Sequence, residues 1–481
     1  MVLSSFVESF SQAERAVNGV VWGWPMMILF LGVGLWLTVG NGFVQFIHFG
    51  YVMKNTLGKV FKQKKVDDKG AVTPFQAVST ALASTVGTGN IAGVAGAIAI
   101  GGPGAVFWMW ISALLGMATK FSEVALAIHF RERNPKGDWI GGPMFYISKG
   151  LGRGWKWLAV LFAIIGALTA FGIGNLTQLN SIAGTVSDVF ISFSANPEAL
   201  NIGRINLIVG IVVAIIMALI LFGGIKRIGA TAEKIVPFMA ILYIVGGLVV
   251  IITHISSIGP VFRDIFTGAF GGFQPIAGGV AGFAISETIK RGISRGVFSN
   301  EAGLGSAPIA HAAAHTKDPV QQGLYGILEV FLDTIVICSL TSLIVLTSGT
   351  PIEWGMNAGA ELTTAGLATV FGAKAASLYM AIALGCFAFT TVLGWSLYGT
   401  RCIEFLFGVK AIRIYQIIFV AMVVVGATME LDMAWNIAET LNGMMAIPNL
   451  IGLALLSPLA FKLTKNYFAR VKAGEIIDEE E

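Results

Sequence analysis

The sequence predicts an all-α membrane protein of eleven transmembrane helices, in which one extra helix precedes a five-plus-five inverted repeat. Of the 481 residues, 55% are hydrophobic and only 12% are charged. This composition is typical of a polytopic helical membrane protein and excludes an ordinary soluble domain. The apolar residues also fall into segments long enough to cross a bilayer. Two of these segments are interrupted by glycine, one near the start of each half.

The eleven apolar segments are separated by short polar connections, with no large soluble domain between them. They cover approximately residues 20–46, 74–99, 103–129, 156–180, 203–223, 234–255, 272–290, 323–348, 375–400, 411–428 and 434–462. Residues 1–18 have the pattern of a short amphipathic helix at the membrane surface.

These segments divide the chain into four parts. Residues 1–73 hold the surface helix, the extra transmembrane helix and a basic cytoplasmic segment, and residues 74–255 form the first five-helix repeat. Residues 256–470 form the second repeat, and residues 471–481 form an acidic cytoplasmic tail. All four parts belong to one membrane domain.

Basic residues are distributed unevenly between the two sides of this arrangement. Of the 31 Lys and Arg residues, 26 fall in connections on one side, and Lys290, Arg291 and Arg295 are assigned to that side. Cytoplasmic connections carry an excess of Lys and Arg. The pattern therefore predicts a multi-pass protein of the cell membrane with its N-terminus outside and its C-terminus in the cytoplasm.

The second span contains a stretch that is unfavourable for a helix, Ser84-Thr-Val-Gly-Thr-Gly-Asn90. Gly costs about 1 kcal/mol relative to Ala in a helix, and Ser, Thr and Asn compete for backbone hydrogen bonds. A break at membrane depth is tolerated only where it faces protein or a wet cavity, and there it offers carbonyls to a cation and amides to a carboxylate. The alternative is an unbroken, Gly-rich face for helix packing.

The seventh span is interrupted in a similar way by the glycines of Gln274-Pro-Ile-Ala-Gly-Gly-Val-Ala-Gly-Phe-Ala-Ile-Ser-Glu287. The first interrupted span runs from inside to outside, and this one runs from outside to inside. Two halves of opposite orientation that each open with a broken helix are typical of transporters whose site lies at the midplane. The pattern therefore favours a secondary transporter.

Several long motifs resemble the alanine/glycine:cation symporter family, also called the sodium:alanine symporters. They are Thr80-Ala-Leu-Ala-Ser-Thr-Val-Gly-Thr-Gly-Asn-Ile-Ala-Gly-Val-Ala95, Gly101-Gly-Pro-Gly-Ala-Val-Phe-Trp108, Lys120-Phe-Ser-Glu-Val-Ala125, Gly141-Gly-Pro-Met-Phe-Tyr146 and Phe298-Ser-Asn-Glu-Ala-Gly-Leu-Gly-Ser-Ala-Pro-Ile-Ala310. The resemblance covers nearly the whole chain. It implies a LeuT-type fold and sodium-coupled symport of small neutral amino acids, alanine and glycine, into the cell by alternating access.

A zwitterionic amino acid needs amides for its carboxylate and carbonyls for its ammonium group. The first break can supply the amides and the second break the carbonyls. Neither predicted break contains Asp or Glu, which suits a ligand of zero net charge. The candidate substrate-binding residues of the two breaks are Thr85, Gly87, Thr88, Gly89, Asn90, Gly278 and Gly279.

Aromatic side chains are expected to limit the size of the substrate, and the candidates are Phe171, Phe283 and Trp395. Each could instead be ordinary core or lipid-facing packing. Asn175 and Gln178 lie near Phe171 in the fourth span, where they could face the substrate or join helices to one another.

Sodium is expected to prefer oxygen ligands. The resemblance implies that the ninth span lies against the first break, so that Thr390 and Thr391 join the carbonyls of Ala83 and Val86 in a sodium site. The alternative is that both hydroxyls only bond back to carbonyls of their own helix. Some relatives also have a second cation site, near the positions of Thr85 and Asn90.

Proton coupling is the alternative to sodium, because Glu123, Glu329 and Asp333 lie within spans and Glu287 lies at a span end. Glu123 follows Lys120 by three residues and is expected to pair with it, whereas Glu329 and Asp333 share a helix face and need a cation or proton as partner. None of these carboxyls lies in a predicted break, so sodium is preferred.

A channel is the less favoured alternative, since two inverted halves in one chain do not resemble a symmetric pore. An enzyme is not expected, because no nucleophile or metal set appears within the spans. The Gly-rich Ser299-Asn-Glu-Ala-Gly-Leu-Gly-Ser306 lacks the features of a phosphate loop, and with His311 and His315 it is expected to form a structural or gating loop. The expected partners are alanine or glycine, sodium as the coupling ion, and the bilayer; no other cofactor, no nucleic acid and a monomeric state are expected.

Overall fold

A computed structural model describes residues 16–62, 68, 70–271, 285–356, 358–429 and 432–475. Within these residues, nine helices are long and apolar enough to cross a membrane. A bent pair, Pro74–Thr85 and Gly89–Gly101, gives a tenth candidate span, with an angle of 51° between its halves.

The α-helices of the described residues are numbered in chain order. They are α1 Trp24–Gly40, α2 Val44–Ile47, α3 Phe49–Asn55, α4 Pro74–Thr85, α5 Val94–Gly101, α6 Ala105–Phe130, α7 Pro143–Gly150, α8 Lys156–Phe171, α9 Thr177–Phe193, α10 Ile202–Leu221, α11 Gly224–Thr253, α12 Ile258–Gly271, α13 Ile285–Asn300, α14 Ala307–His311, α15 Pro319–Val330, α16 Ser339–Thr347, α17 Ala360–Phe371, α18 Ala373–Phe407, α19 Ala411–Thr428 and α20 Asp432–Lys472.

Shorter elements join these helices. Three π-helical segments, Gly89–Gly93, Gly172–Leu176 and Phe331–Cys338, lie within longer helical runs. The 3₁₀ turns are Leu57–Lys62, Arg153–Trp155, Pro197–Ala199 and Ile255–Ser257. Two short antiparallel strands, β1 Glu132–Arg133 and β2 Trp139–Ile140, form a hairpin after α6.

Ten of the eleven predicted spans coincide with these helices, counting the bent pair as one. The predicted end of the seventh span, at residue 290, is wrong, whereas its predicted start at residue 272 is not tested. Residues 272–284 lie outside the described residues, and α13 continues ten residues past the predicted end, to Asn300. The count of eleven and the five-plus-five repeat therefore stay predictions.

The helix that starts with α13 is itself interrupted, since residues 301–306 are not helical and α14 follows. Near its start, Thr288 Oγ1 donates to the Gly101 carbonyl over 2.8 Å. Just beyond α14, Ala314 forms a parallel β-bridge with Val72, which precedes α4. The interrupted helix therefore runs through the bundle in the direction opposite to α4 and α5. We call the two ends of the bundle the Gly101 end and the Val72 end.

This placement moves three basic residues. Lys290, Arg291 and Arg295 lie in the first part of α13, toward the Gly101 end, and the Arg291 side chain contacts Gly101. Their assignment to the same side as the Val72 connection is wrong. The assignment failed because α13 has a polar composition, unlike that of a lipid-facing helix. This composition is possible because α13 packs on α5 and α6 inside the bundle.

The helix α18 packs closely against the bent pair of α4 and Gly89–Gly101, through contacts at glycine residues. Ser84 of α4 fills the space beside Gly394, where any side chain would collide with its hydroxyl group. One turn away, Gly87 lies against Thr391. Such small-residue contacts are typical of membrane helices. They place the middle of α18 directly beside the first break.

Candidate functional site

The first break lies where the sequence predicts it. A capping box of Thr73 and Gln76 starts α4, and the helix ends at Thr85 because Val86 adopts an extended conformation with φ −83° and ψ 92°. The Gly87 amide donates to Asn90 Oδ1 over 2.8 Å instead of continuing the helix. The alternative of an unbroken packing face is therefore excluded.

A second break occupies residues 301–306, between α13 and α14. Glu301, Gly303 and Gly305 have φ values of +56°, +91° and +81°, a left-handed conformation that favours glycine at the last two positions. Ser299 and Ser306 are each 1% exposed, so this segment is deep in the protein. The expected role of residues 299–306 in a structural or gating loop stays a prediction, and the structure shows that this segment lies inside the protein.

The two breaks lie next to each other. A Cβ atom built on Gly89 would lie 3.3 Å from the Phe298 ring and 3.8 Å from the Cα of Ser299. The end of α13 therefore faces the turn that follows the first break. This arrangement brings backbone groups that lack helical hydrogen bonds, from both broken helices, to one place at the centre of the bundle.

Gln178 reaches the first break from α9, the continuation of the fourth predicted span. Its Nε2 donates to Thr88 Oγ1 over 3.0 Å, and the Thr88 amide lies 3.4 Å from its Oε1. Both residues are buried. The structure thus brings Gln178 and Thr88 together, whereas their role in substrate binding stays a prediction.

Phe171 and Asn175, in contrast, make their contacts with α19. The Phe171 ring lies 4.9 Å from the Tyr415 ring and 5.6 Å from the Phe419 ring, centre to centre. Asn175 Nδ2 donates to the Phe419 carbonyl over 2.8 Å. Their predicted substrate contacts stay predictions, as do those of Gly278, Gly279 and Phe283, which lie outside the described residues.

The predicted sodium ligands come together where α18 meets the first break. The amides that would bond to the carbonyls of Ala83 and Val86 in a regular helix donate elsewhere: Gly87 to Asn90 Oδ1 and Asn90 to the Gly87 carbonyl. These two carbonyls therefore end the helix without its usual amide partners.

The hydroxyls of Thr390 and Thr391 each donate to the Phe387 carbonyl over 3.0 Å. This is the bond expected under the alternative explanation, but a hydroxyl oxygen that donates once still has lone pairs for a cation. A Cβ on Gly87 would lie 2.5 Å from Thr391 Oγ1, so this oxygen is beside the break. The sodium role stays a prediction.

Trp395 lies one turn further along α18 and is 1% exposed. Its ring contacts that of Tyr398 edge-on, with 5.4 Å between ring centres, and its backbone side packs on Gly174. Within the described residues, the Trp395 Nε1 makes no hydrogen bond. Buried polar groups normally have partners, so this group is available to a ligand.

Asp333, which the sequence places on one helix face with Glu329, lies beside the first break. It lies in the π-helical segment after α15, and its Oδ1 accepts from Asn90 Nδ2 over 2.5 Å. Its Oδ2 accepts from Ser299 Oγ over 2.9 Å and from Thr334 Oγ1 over 2.7 Å. One carboxylate thus connects the first break with the end of α13. The signal in the sequence is an ionisable residue inside an apolar span.

The predicted ion pair of Lys120 and Glu123 is wrong. Lys120 Nζ lies 3.1 Å from Glu329 Oε1 on α15, while Glu123 Oε1 accepts from the Gly303 amide over 3.1 Å and from Asn449 Nδ2 over 2.5 Å. Glu123 therefore supports the second break. The break at residues 301–306 differs from both predicted breaks in containing an acidic residue, Glu301.

At the Val72 end, the β1–β2 hairpin joins the chain before α4 to the end of α18. The Arg133 guanidinium pairs with Asp68 over 2.6 Å, and this bond holds the pKa of Asp68 at about 2, below its usual value. Arg401 of α18 lies 3.5 Å from Asp138 and 2.5 Å from Glu404. The hairpin thus closes this end of the bundle.

At the Gly101 end, Arg295 forms an ion pair with Glu439 of α20, and its guanidinium lies 5.4 Å from the centre of the Phe298 ring. A cavity of about 220 Å³ lies beyond this pair and is lined in part by Lys290, Arg291 and Ser294. Ion pairs therefore lie across both ends of the central region.

Comparisons with known proteins identify the family to which the chain belongs. The family model of the sodium:alanine symporter family matches residues 7–480. The chain is 47% identical over 463 residues to the sodium/alanine symporter AgcS of Methanococcus maripaludis, covering 95% of this chain and 97% of that protein. It is 40% identical over 467 residues to the amino-acid carrier protein AlsT of Bacillus subtilis, covering 97% and 94%.

The fold also resembles a solved structure, the crystal structure of MhsT in complex with L-phenylalanine. The TM-score is 0.57 at 12% sequence identity, with 82% of this chain and 99% of MhsT covered. This likeness supports the LeuT-type fold. With two broken helices facing each other and a family match over almost its entire length, the chain is a multi-pass membrane transporter that belongs to the sodium:alanine symporter family.

Proposed function

We propose that the protein carries alanine and glycine into the cell together with sodium, by alternating access across the plasma membrane. The observation that carries this proposal is the contact of the two helix breaks at Gly89 and Phe298. A small zwitterion fits between two sets of uncharged backbone dipoles of opposite sign. The family membership and the sodium/alanine symporter among its relatives support the same conclusion.

In this proposal the substrate carboxylate binds the amides that start the helix after the first break, at Thr88, Gly89 and Asn90. The ammonium group binds carbonyls at the C-terminal end of α13, where the helix dipole is negative. Gln178 holds Thr88 in place, and Trp395 limits side-chain size while its free Nε1 reaches the ligand.

Sodium binds at the junction of α4 and α18 in the same proposal. The carbonyls of Ala83 and Val86 and the hydroxyls of Thr390 and Thr391 supply hard oxygen ligands. A second sodium ion next to Asn90 would be neutralised by Asp333, whose buried carboxylate is hydrogen-bonded only to uncharged groups. Ion and substrate would then share the first break, which explains why they move together.

Symport with protons is the second candidate, and the observation that favours it is Glu301. This carboxyl lies inside the second break, is 3% exposed and bonds to Ser306 Oγ over 2.5 Å. A titratable group in the path is what proton coupling requires. Sodium remains the preferred ion because the first break presents the neutral oxygen ligands described above.

Uptake of labelled alanine into proteoliposomes tests the proposal. An inward sodium gradient at equal pH should drive accumulation, and an inward proton gradient without sodium should not. Thr391→Ala should weaken the sodium dependence, whereas Ser396→Ala on the same helix, whose hydroxyl donates only to the Leu393 carbonyl, should leave it unchanged. Accumulation driven by protons alone would favour the second candidate. Uptake that does not saturate would indicate a channel.

A further inference from the structure

One buried carboxylate, that of Glu329, contacts both broken helices and a third helix. Thr85 Oγ1 lies 2.8 Å from its Oε1 and 2.7 Å from the Ala81 carbonyl, so the one hydroxyl hydrogen is shared between these two acceptors. His311 Nε2 lies 3.1 Å from the Oε2 of Glu329. Lys120 Nζ of α6 donates to Oε1 over 3.1 Å. The helices α4 and α14 are the halves of the two broken helices that lie toward the Val72 end. Thr85 is the last residue of α4 and His311 the last of α14, so Glu329 contacts the C-terminal residue of each half.

The bond to His311 has a defined direction. Gln322 Nε2 lies 2.8 Å from His311 Nδ1, so the amide donates to Nδ1 and the ring hydrogen sits on Nε2. That hydrogen is then donated to Glu329. His311 and Thr85 therefore both donate to Glu329, through its two different oxygens.

Lys120 supplies the charge that allows Glu329 to be an ionised acceptor here. Both side chains of this ion pair are fully buried. A buried ion pair often adds little to stability compared with apolar side chains of the same size, because removing two charges from water is costly. Stability alone therefore does not account for the pair. What it does supply is a carboxylate with both oxygens directed at the two broken helices.

A second connection joins the same two half-helices at the Val72 end. The Val72 amide donates to the Ala313 carbonyl over 3.0 Å, and the His315 amide donates to the Val72 carbonyl over 2.7 Å. Together with Glu329, these bonds connect both ends of α4 to the C-terminal end of α14 and the residues that follow it. The two half-helices are therefore built to move as one body.

We propose that Glu329 is the positioning residue that couples the two broken helices, with Lys120 as its fixed counter-charge. While Thr85 and His311 donate to Glu329, the α4–α14 body stays packed against α6 and α15 and the Val72 end is closed. When both bonds break, the body moves away and that end opens. This inference rests on alternating access as proposed above.

The test measures how often α4 leaves its packed position. Ser79 of α4 is fully buried, and Ser79→Cys introduces a thiol that N-ethylmaleimide reaches only when α4 moves. The full-length protein is labelled in proteoliposomes without sodium or substrate. Labelling of the protein that keeps Ser79 measures the background reaction of the native thiols Cys338, Cys386 and Cys402.

In the Ser79→Cys protein, Thr85→Val removes the hydroxyl donor and keeps the side-chain shape. Losing one hydrogen bond to a charged group should speed labelling about tenfold. Thr80→Val is the matched control, since the Thr80 hydroxyl donates to the Gln76 carbonyl of its own helix. Equal labelling of the Thr85 and Thr80 variants would overturn the proposal.

His311 provides the second arm. His311→Gln can still place an amide donor near Glu329 and should label slowly, whereas His311→Asn reaches only toward Gln322 and should label about tenfold faster. Because Thr85 and His311 act through one carboxylate, the Thr85→Val and His311→Asn effects should be less than multiplicative. Independent, multiplicative effects would contradict the coupling.

The double variant Lys120→Met with Glu329→Gln removes one positive and one negative charge and leaves the net charge of the core unchanged, so it should fold and keep a thermal midpoint near that of the parent. It should nevertheless label as fast as Thr85→Val; slow labelling would show that packing alone holds α4. Since labelling requires no transport, it tests Glu329 even if sodium-driven alanine uptake fails, and that failure would count against the proposed function alone.

Discussion

Gly87 and Thr391 are in such close contact that no side chain fits between them. A Cβ atom on Gly87 would lie 2.5 Å from Thr391 Oγ1. The contact joins the first break to α18 at the point where the sodium ligands are expected. A methyl group at this position must therefore displace either the break or the hydroxyl group.

Gly87→Ala should reduce sodium-dependent alanine uptake at least about tenfold, because Thr391 cannot move without leaving its bond to Phe387. Gly385→Ala is the control, since Gly385 lies on α18 with open space around it. Removing the Thr391 side chain in a Gly87→Ala, Thr391→Ala double variant should restore the thermal midpoint but not uptake. Full recovery of uptake would exclude Thr391 as a sodium ligand.

Asp333→Asn should raise the sodium concentration needed for half-maximal alanine uptake by about tenfold or more, because it removes the negative charge beside Asn90. The sodium dependence of uptake at saturating alanine is the measurement. Ser342→Ala is a suitable control, since its hydroxyl donates to the Cys338 carbonyl of the same helical run. An unchanged sodium dependence in Asp333→Asn would argue that no sodium binds next to this carboxylate.

Gln178→Ala should raise the KM for alanine while changing the maximal rate less, since it frees Thr88 from the position in which the following amides face the substrate. Asn180→Ala provides the comparison on the same helix, because Asn180 bonds to the Met429 carbonyl of the C-cap of α19 instead. Initial rates of uptake at varied alanine concentration distinguish the two. The same KM in both variants would place Gln178 among the residues that only join helices.

The Asp68–Arg133 pair should contribute stability at neutral pH that is lost in acid. Because Arg133 lowers the pKa of folded Asp68 from 3.8 to about 2, the contribution is complete above about pH 4 and disappears as the pH falls toward 2. The Arg133 side chain is 44% exposed, so the effect should be under about 1 kcal/mol.

The measurement is the thermal midpoint of Asp68→Asn and of the parent in detergent, as a function of pH. The two should differ at pH 7 and converge toward pH 2. Glu132→Gln is the control on the same hairpin, since its partner Lys149 is also exposed and little change is expected. A difference that persists at pH 2 would show that another property of Asp68, such as its bond to the Gly70 amide, is responsible.

The first break lies within the stretch that the sequence predicts for it, residues 84–90, whereas the break at residues 301–306 was not predicted. At the first, Gly87, Thr88 and Gly89 interrupt an apolar run, so local helix propensity and hydropathy point to the same place. At the second, Arg291, Arg295 and Asn300 make the buried helix α13 look like a connection, and the search for apolar segments selects residues 272–290 instead. An apolar composition marks helices that face lipid. The helix α13 is missed because it is surrounded by protein and can carry polar residues.

The side-chain pairs of the site were less accessible to sequence reasoning. Lys120 has Glu123 three residues away, and the local rule for helices selects that partner. Its actual partner, Glu329, is 209 positions further along the chain. Only the packing of α6 against α15 brings these two together. Gln178 was selected only as an amide in the fourth span near Phe171, and its contact with Thr88 could not be read from the spacing of the residues.

The three π-helical segments have a consequence for how the chain tolerates changes in length. Asn90, Asn175 and Asp333 all lie within them, and a π turn holds about one residue more than an α turn. Deleting one residue there would remove the extra residue of the turn, so a continuous α-helix would result and the side chains on either side would keep their directions. Such a deletion would change mainly the direction of the polar group that the wider turn holds, Asn90, Asn175 or Asp333. Length at these three positions is therefore a determinant of chemistry, whereas a surface loop absorbs a similar loss without effect.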